Sequence, residues 1–366
     1  MRVFICGILR RFAKFEAIRT SLAATTPEEL ATSSSPKLCR DLSLRLRYNL
    51  PAKAGLQRIH VEMCNNIAKR EDNDQPEDAP LPPTLKIADA HCHPTDSLAT
   101  LPNITSLTTS LICTMSTSFH DLGHVERLYL EHGSRVVPAF GFHPWHYHKL
   151  ASTKVPVTPV QAAEDTLEPF VLEDAELATR LIQDQRDFEE WTTLLIGLLK
   201  KHPKAIVGEI GMDRAASLPN TNSKLKINAN HQCKIFEEQL RIAGRLKRPV
   251  SCHCVRAHGH MIDMFKKFGK ESPEEFPPAI FGPRIYVSFS TVINARSPKL
   301  ADRIRAVPAD RLLIESDYST MNAIDAQMAE IVQVVSEATG WSVEETCRRT
   351  FENFLRFSHV DPYCTT

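Results

Sequence analysis

The feature that most constrains the fold is a repeated alternation along the chain. Seven short apolar, β-like runs, at 86–91, 110–115, 135–142, 205–210, 249–253, 285–289 and 312–315, are separated by longer stretches of other character. In two of those stretches, 184–201 and 232–246, apolar residues recur at three- and four-residue spacing, which is the helical period. Short strands alternating with helices build βα units around a parallel sheet. With 366 residues the chain can form one large barrel plus extensions. The expected fold is an α/β, TIM-like (β/α) barrel, with no internal repeat.

The flanks read differently. Residues 1–62 are basic, Ser/Thr-rich and poor in acids, opening with MRVFICGILRRFAKFEAIRTSL, which can form a basic amphipathic helix. One reading is a mitochondrial presequence. The readings placed slightly ahead of it are a disordered extension and upstream sequence joined to a start at Met63; they leave cytoplasm or nucleus as the default compartment. Residues 63–84 end in an acidic, proline-rich linker. The barrel is expected over 85–360, with an insertion loop at about 149–180.

Charge is balanced overall, 44 Lys and Arg against 44 Asp and Glu, but the first 60 residues carry the positive excess, so the barrel is net acidic. A nucleic-acid substrate would then be held by a local cluster of donors or by metal ions, not by a broad basic surface. No apolar run is long enough to cross a bilayer. The ten cysteines are scattered without a framework spacing and read as reduced thiols.

Polar residues able to do chemistry stand at the ends of these runs. DAHCHPTD places His91 and His93 two apart in an extended segment, so both rings point to one face. Two neutral nitrogen donors suit a divalent metal, although such a pair alone is more often incidental. Glu209, among apolar residues in IVGEIGMDR, requires a partner or a cation. His253 closes RPVSCHC, and Asp317 follows RLLIESD. In a parallel barrel all strand C-termini open on one face, so these five residues meet there. His143 in GFHPW either donates to a substrate phosphate, orients a ligand or steadies a turn before proline. Cys92, Cys252 and Cys254 alternate with the histidines and face the opposite way, toward the barrel wall.

In this order, DAHCHPTD, GFHPW, VGEIGMDR, PVSCHC, LLIESDYS and the closing TFENFLRF resemble the TatD family of metal-dependent deoxyribonucleases, within the amidohydrolase-like barrels, over about residues 86–357. The resemblance implies hydrolysis of DNA phosphodiester bonds with two divalent ions, Mg, Mn or Zn. It makes His91, His93 and Asp317 ligands of one ion, His253 a ligand of the second and Glu209 the bridge. Asp317 would also take the proton of the attacking water.

Two departures from the family pattern stand out. Val255 occupies the place of a family arginine, with Arg256 one residue later. The sixth strand, with its histidine ligand, has no counterpart between Lys270 and Ile285, where ESPEEFPPAIFGPR is too short for a parallel crossover. An absent exon is the expected cause, leaving two unpaired edges or residues such as Ala279 to Phe281 to patch them. Impaired activity, or a non-catalytic relative that binds a protein partner, is the alternative. A third reading is an amidohydrolase acting on a small amide or ester; Glu209, where such enzymes carry a carbamylated lysine, favours the TatD side.

Overall fold

The computed structural model describes residues 3–6, 81–82, 84–155, 157–216, 227–272 and 284–359. Eight strands, all parallel to their neighbours, form one sheet: β1 (Val3–Cys6), β2 (Ala88–Cys92), β3 (Leu111–Met115), β4 (Val136–Phe140), β5 (Ile206–Asp213), β6 (Val250–Val255), β7 (Ile285–Phe289) and β8 (Leu312–Ile314). β2 to β8 fall on the seven expected runs. Every residue of β2, β3, β4, β5 and β8 is buried, as expected for strands covered on both faces.

The helices follow the strands in order. They are α1 (Phe119–His132), α2 (Pro159–Thr166), α3 (Pro169–Leu172), α4 (Ala175–Ile182), α5 (Phe188–Lys201), α6 (Ala229–Arg245), α7 (His258–Glu271), α8 (Thr291–Asn294), α9 (Leu300–Ala306), α10 (Met321–Thr339) and α11 (Val343–Ser358). Local sequence sets several of their ends. A capping box of Ser118 and Asp121 starts α1, and Gly340 at φ +76° ends α10.

The stretch at 149–180, expected as an insertion loop, carries three short helices instead. Ala163, Leu167, Val171, Ala178, Leu181 and Ile182 from α2, α3, α4 and their joints enter the same core as Tyr147, Trp191 and Phe236. Their prolines sit in the first turn of α2 and α3, where a missing N–H costs nothing, so a proline-rich stretch is compatible with helix here.

The sheet runs β2-β3-β4-β5-β6-β1-β7-β8. Among the described residues no strand lies between β6 and β7 in chain order, the place expected for the missing sixth strand; residues 273–283 lie outside the described residues. The place is nevertheless filled. β1 enters it, pairing Val3 with Val250 and Ile285, Ile5 with Cys252 and Val287, and Cys6 with His253. The expectation of two bare edges is therefore corrected, because sheet edges take any strand that satisfies their N–H and C=O groups. The patch expected from Ala279 to Phe281 lies outside the described residues, as does the basic helix expected at the start, apart from Val3–Cys6, which is extended.

The two ends of the sheet meet at the site. Asp317 N donates to His91 O at 2.9 Å, His93 N donates to Tyr318 O at 2.8 Å, and Ser316 N donates to the Asp89 carboxylate at 2.9 Å. Outside this seam, Phe354 and Phe357 of α11 pack with Ala88, Ala90, Tyr286 and Leu313 from β2, β7 and β8.

Candidate metal centre

Alternation within β2 turns His91 inward while Cys92, fully buried, packs in the wall against the Cys113 carbonyl. Cys252 and Cys254 are likewise buried free thiols. His91 is fixed by its Nδ1, 3.1 Å from Ser251 Oγ on β6, which leaves Nε2 directed at the mouth of the barrel. His93 follows immediately after β2. Its Nε2 is 3.0 Å from His91 Nε2 and 3.3 Å from Glu209 Oε2. Asp317 adopts φ +53°, a left-handed conformation that aspartate tolerates, and its Oδ1 lies 3.7 Å from His91 Nε2 and 3.6 Å from His93 Nε2.

Glu209 is held by β5 in the centre of the group. Oε2 faces His91 and His93 at 3.3 Å and His143 Nε2 at 3.7 Å; Oε1 faces His253 Nδ1 at 3.0 Å. Beside it, Gly211 takes φ +150°, and a Cβ there would stand 1.9 Å from the His253 carbonyl oxygen. Only glycine lets β5 run this close to β6, and that approach brings Glu209 and His253 together.

Three of the five expected ligands, His91, His93 and Glu209, thus form one candidate cation group with Asp317 beside the two histidines, and Glu209 forms a second group with His143 and His253. Atoms bound to one ion at 2.0–2.2 Å stand about 3.0–3.5 Å apart, near the spacings seen here. The electrostatics agree. Burial raises the Glu209 carboxyl, but the charge of His91 and hydrogen bonds with His253 and His91 outweigh it and hold it well below the usual range. Burial opposes charge on His93, yet Asp317 and Glu209 hold its pKa well above the usual histidine value. His93 Nδ1 is buried with no hydrogen-bond partner. Facing ring nitrogens and carboxylates of this kind are what a divalent cation satisfies, and the residues fit one.

His143 and His253 are less alike than their shared neighbour suggests. His143 Nδ1 accepts from Trp145 N at 3.2 Å, and burial holds the ring well below the usual pKa, hence neutral. A neutral ring accepting at Nδ1 carries its proton on Nε2, which is then a donor. His253 lies between two carboxylates, Glu209 at Nδ1 and Asp213 at Nε2, the latter 3.2 Å away. Burial works against its charge, but hydrogen bonds to Asp213 and Glu209 prevail and lift its pKa to about 10.

Sequence reasoning passed over four residues of this site: Asp89, Trp145, Asp213 and Ser251. Burial raises Asp89 to about 6 against its hydrogen bonds with Ser316, so it is a clasp between β2 and the segment after β8. Asp213 receives Trp145 Nε1 at 2.8 Å and Ala215 N at 2.7 Å besides His253. Two cues were available: Asp89 is two residues before His91, and Asp213 stands an even number after Glu209, on the inward period of a strand. Arg256, one place beyond the family position, is exposed at φ +54° just past β6.

A parallel barrel that gathers histidines and carboxylates at the open ends of its strands has the layout of a metal-binding TIM-like barrel. The chain belongs to the family described as TatD related DNase, whose model matches residues 88–359. It is 28% identical over 334 residues to the Cut9-interacting protein scn1 of Schizosaccharomyces pombe, covering 75% of this chain and 99% of that protein. It is 26% identical over 329 residues to the uncharacterized deoxyribonuclease YMR262W of Saccharomyces cerevisiae, with 74% and 99% covered. Among solved structures, an uncharacterized amidohydrolase from Saccharomyces cerevisiae superposes with TM-score 0.51 at 14% identity, over 75% of this chain and 99% of that one. β1 lies outside the matched residues. Among the described residues no helix is long and apolar enough to cross a membrane.

Proposed function

We propose that this chain is a metal-dependent hydrolase that cuts phosphodiester bonds in DNA. The observation that carries the reading is the convergence of His91, His93 and Glu209 within 3.0–3.3 Å, with Asp317 3.6–3.7 Å from both histidines, at the mouth of the barrel. His91, His93 and Asp317 would hold one divalent ion, and Glu209 and His253 are the residues that would hold a second beside it. A bound divalent ion supplies polarisation of the phosphate and a more acidic water at neutral pH.

The chain's own groups do the rest. Asp317, at the rim beside His93, takes the proton from the attacking water. His143 presents Nε2–H to a phosphate oxygen, donating without bringing further charge. Ser251 fixes the His91 ring, and the Asp89 clasp fixes the strand on which His91 stands. Nuclease names among the relatives, such as the human 3'-5' RNA nuclease TATDN2, 28% identical over 131 residues, support the same bond type.

The test is cleavage of a labelled oligonucleotide by protein stripped with chelator and reloaded with Mg²⁺, Mn²⁺ or Zn²⁺. Glu209→Gln is expected to lower the rate on the order of 100- to 1000-fold. Unchanged cleavage in that variant would remove Glu209 from the site. A second reading is a scaffold that binds a protein partner, favoured by the name of the fission-yeast relative and by the absence of a sixth-strand histidine. Protein that takes up metal yet cleaves neither DNA nor RNA would put that reading first.

A further inference from the structure

Three nitrogens converge on the carboxylate of Asp213 at the end of β5. Ala215 N donates to Oδ1 at 2.7 Å, while Trp145 Nε1 donates to Oδ2 at 2.8 Å and His253 Nε2 lies 3.2 Å from the same oxygen. The backbone beneath that carboxylate is held from α6. Asp213 N donates to Gln232 Oε1 at 2.9 Å, and Gln232 Nε2 donates to Asp213 O at 3.0 Å, so one buried amide side chain clasps both backbone groups of one residue. A buried carboxylate is costly unless its oxygens are filled, and here both receive an N–H. An asparagine could not stand in, because its own NH₂ would face one of those donors. The position requires a group that only accepts.

Such a group fixes the proton of His253. An ionised carboxylate has no hydrogen to give, so a ring that faces it through Nε2 presents Nε2–H. The neutral ring then carries its lone pair on Nδ1, the atom 3.0 Å from Glu209 Oε1. Resting on the two-ion reading above, we propose that Asp213 is a positioning residue for the second cation, holding His253 in its Nε2–H form so that Nδ1 is the atom free to bind. The other half of the centre has a different partner, since His91 Nδ1 lies 3.1 Å from the Ser251 hydroxyl. A carboxylate makes the ring it orients a stronger donor than a neutral hydroxyl does. The half with fewer ligands therefore has the stronger orienting group.

Two measurements test this, and neither uses DNA. Wild-type protein stripped with chelator and reloaded with Zn²⁺ is studied by long-range proton–nitrogen NMR correlations of the histidine rings, which distinguish a metal-bound Nδ1 from a metal-bound Nε2. The His253 signals are identified by their loss in His253→Asn. The expected pattern is a proton on Nε2 and metal on Nδ1. Zn²⁺ is then titrated against a competing chelator into wild type, Asp213→Asn and Trp145→Phe. Asp213→Asn is expected to weaken the second ion about 10- to 100-fold and to leave the first unchanged. Trp145→Phe, which removes the other donor to Oδ2 and leaves His253 its partner, is expected to keep both affinities near wild type.

Metal on Nε2 of His253 overturns the proposal, and that measurement stands even if Asp213→Asn fails to fold. Uptake of a single ion by wild type overturns it as well. So does an Asp213→Asn protein that binds both ions as wild type does, or one in which both affinities fall together, because Asp213 would then act only through the fold. The expected ring pattern in a protein that cleaves no oligonucleotide keeps the positioning role and rejects the hydrolase reading, so the two failures are separable.

Discussion

Two sides of this barrel were assembled by different rules. From β2 to β6 the strands follow one another in chain order, and this arc supplies His91, His93, His143, Glu209 and His253. From β6 to β8 the order breaks, and β1 from the far end of the chain stands between β6 and β7. The arc carries the donors, whereas the other side closes the sheet and contributes Asp317. A barrel needs a strand in every position, but it tolerates that strand arriving from elsewhere in sequence.

The difference can be broken on either side. On the arc, Gly211→Ala drives a methyl into the His253 carbonyl and forces a left-handed φ on alanine. The expected cost is about 4 kcal/mol or more, with loss of metal uptake, read by denaturant unfolding and by metal analysis of the purified protein. A variant of normal stability would mean that the β5–β6 approach does not hold the centre together.

On the closing side, Ile5→Pro removes a backbone donor from a strand paired on both flanks. A loss of about 3 kcal/mol is expected, with the β2 to β6 donors left intact, so Mn²⁺ binding should survive at low temperature. If unfolding is unaffected, β1 is not an obligatory strand. The same residues open the presequence reading of 1–62, and a mature protein whose mass excludes Val3–Cys6 would contradict the barrel role.

The smallest effect concerns the layer outside the arc. His231 of α6 is buried, its Nε2 is 2.9 Å from the Tyr147 carbonyl oxygen, and burial pushes its pKa down to about 4. A base whose pKa is lower in the folded state binds its proton more readily when unfolded. Stability is therefore lost as pH falls from about 6.5 toward 4, by up to ~3 kcal/mol. His231→Gln keeps a donor for Tyr147 and should flatten that part of the stability–pH curve, measured by urea unfolding between pH 7 and 4. An unchanged slope would assign the acid sensitivity to other groups.

Most of the arc was legible because periodicity reports burial and strand ends report a shared face. DAHCHPTD, VGEIGMDR and PVSCHC each put a polar group where an apolar run stops, which is costly unless the group has work to do. What escaped notice depends on distance in space alone. VFIC is too short and too close to a basic stretch to read as a strand of a barrel 80 residues away. Asp213 and Trp145 meet through a side-chain bond between residues 68 apart in sequence, which no local pattern encodes. The helices at 159–182 were hidden by prolines and acids, which in first turns favour helix instead of opposing it.

The place of β1 also sets a schedule. Val3 leaves the ribosome early, yet its partners Val250 and Ile285 follow roughly 250 residues later, on the order of tens of seconds at ordinary rates of synthesis. Throughout that interval a strand-forming tetrapeptide must wait while β2 to β6 assemble without it. Closure is then a late, long-range event of high contact order, and the nascent chain passes through an open sheet whose exposed edge invites other strands. Its dependence on help during synthesis should accordingly exceed that of relatives whose strands form in order.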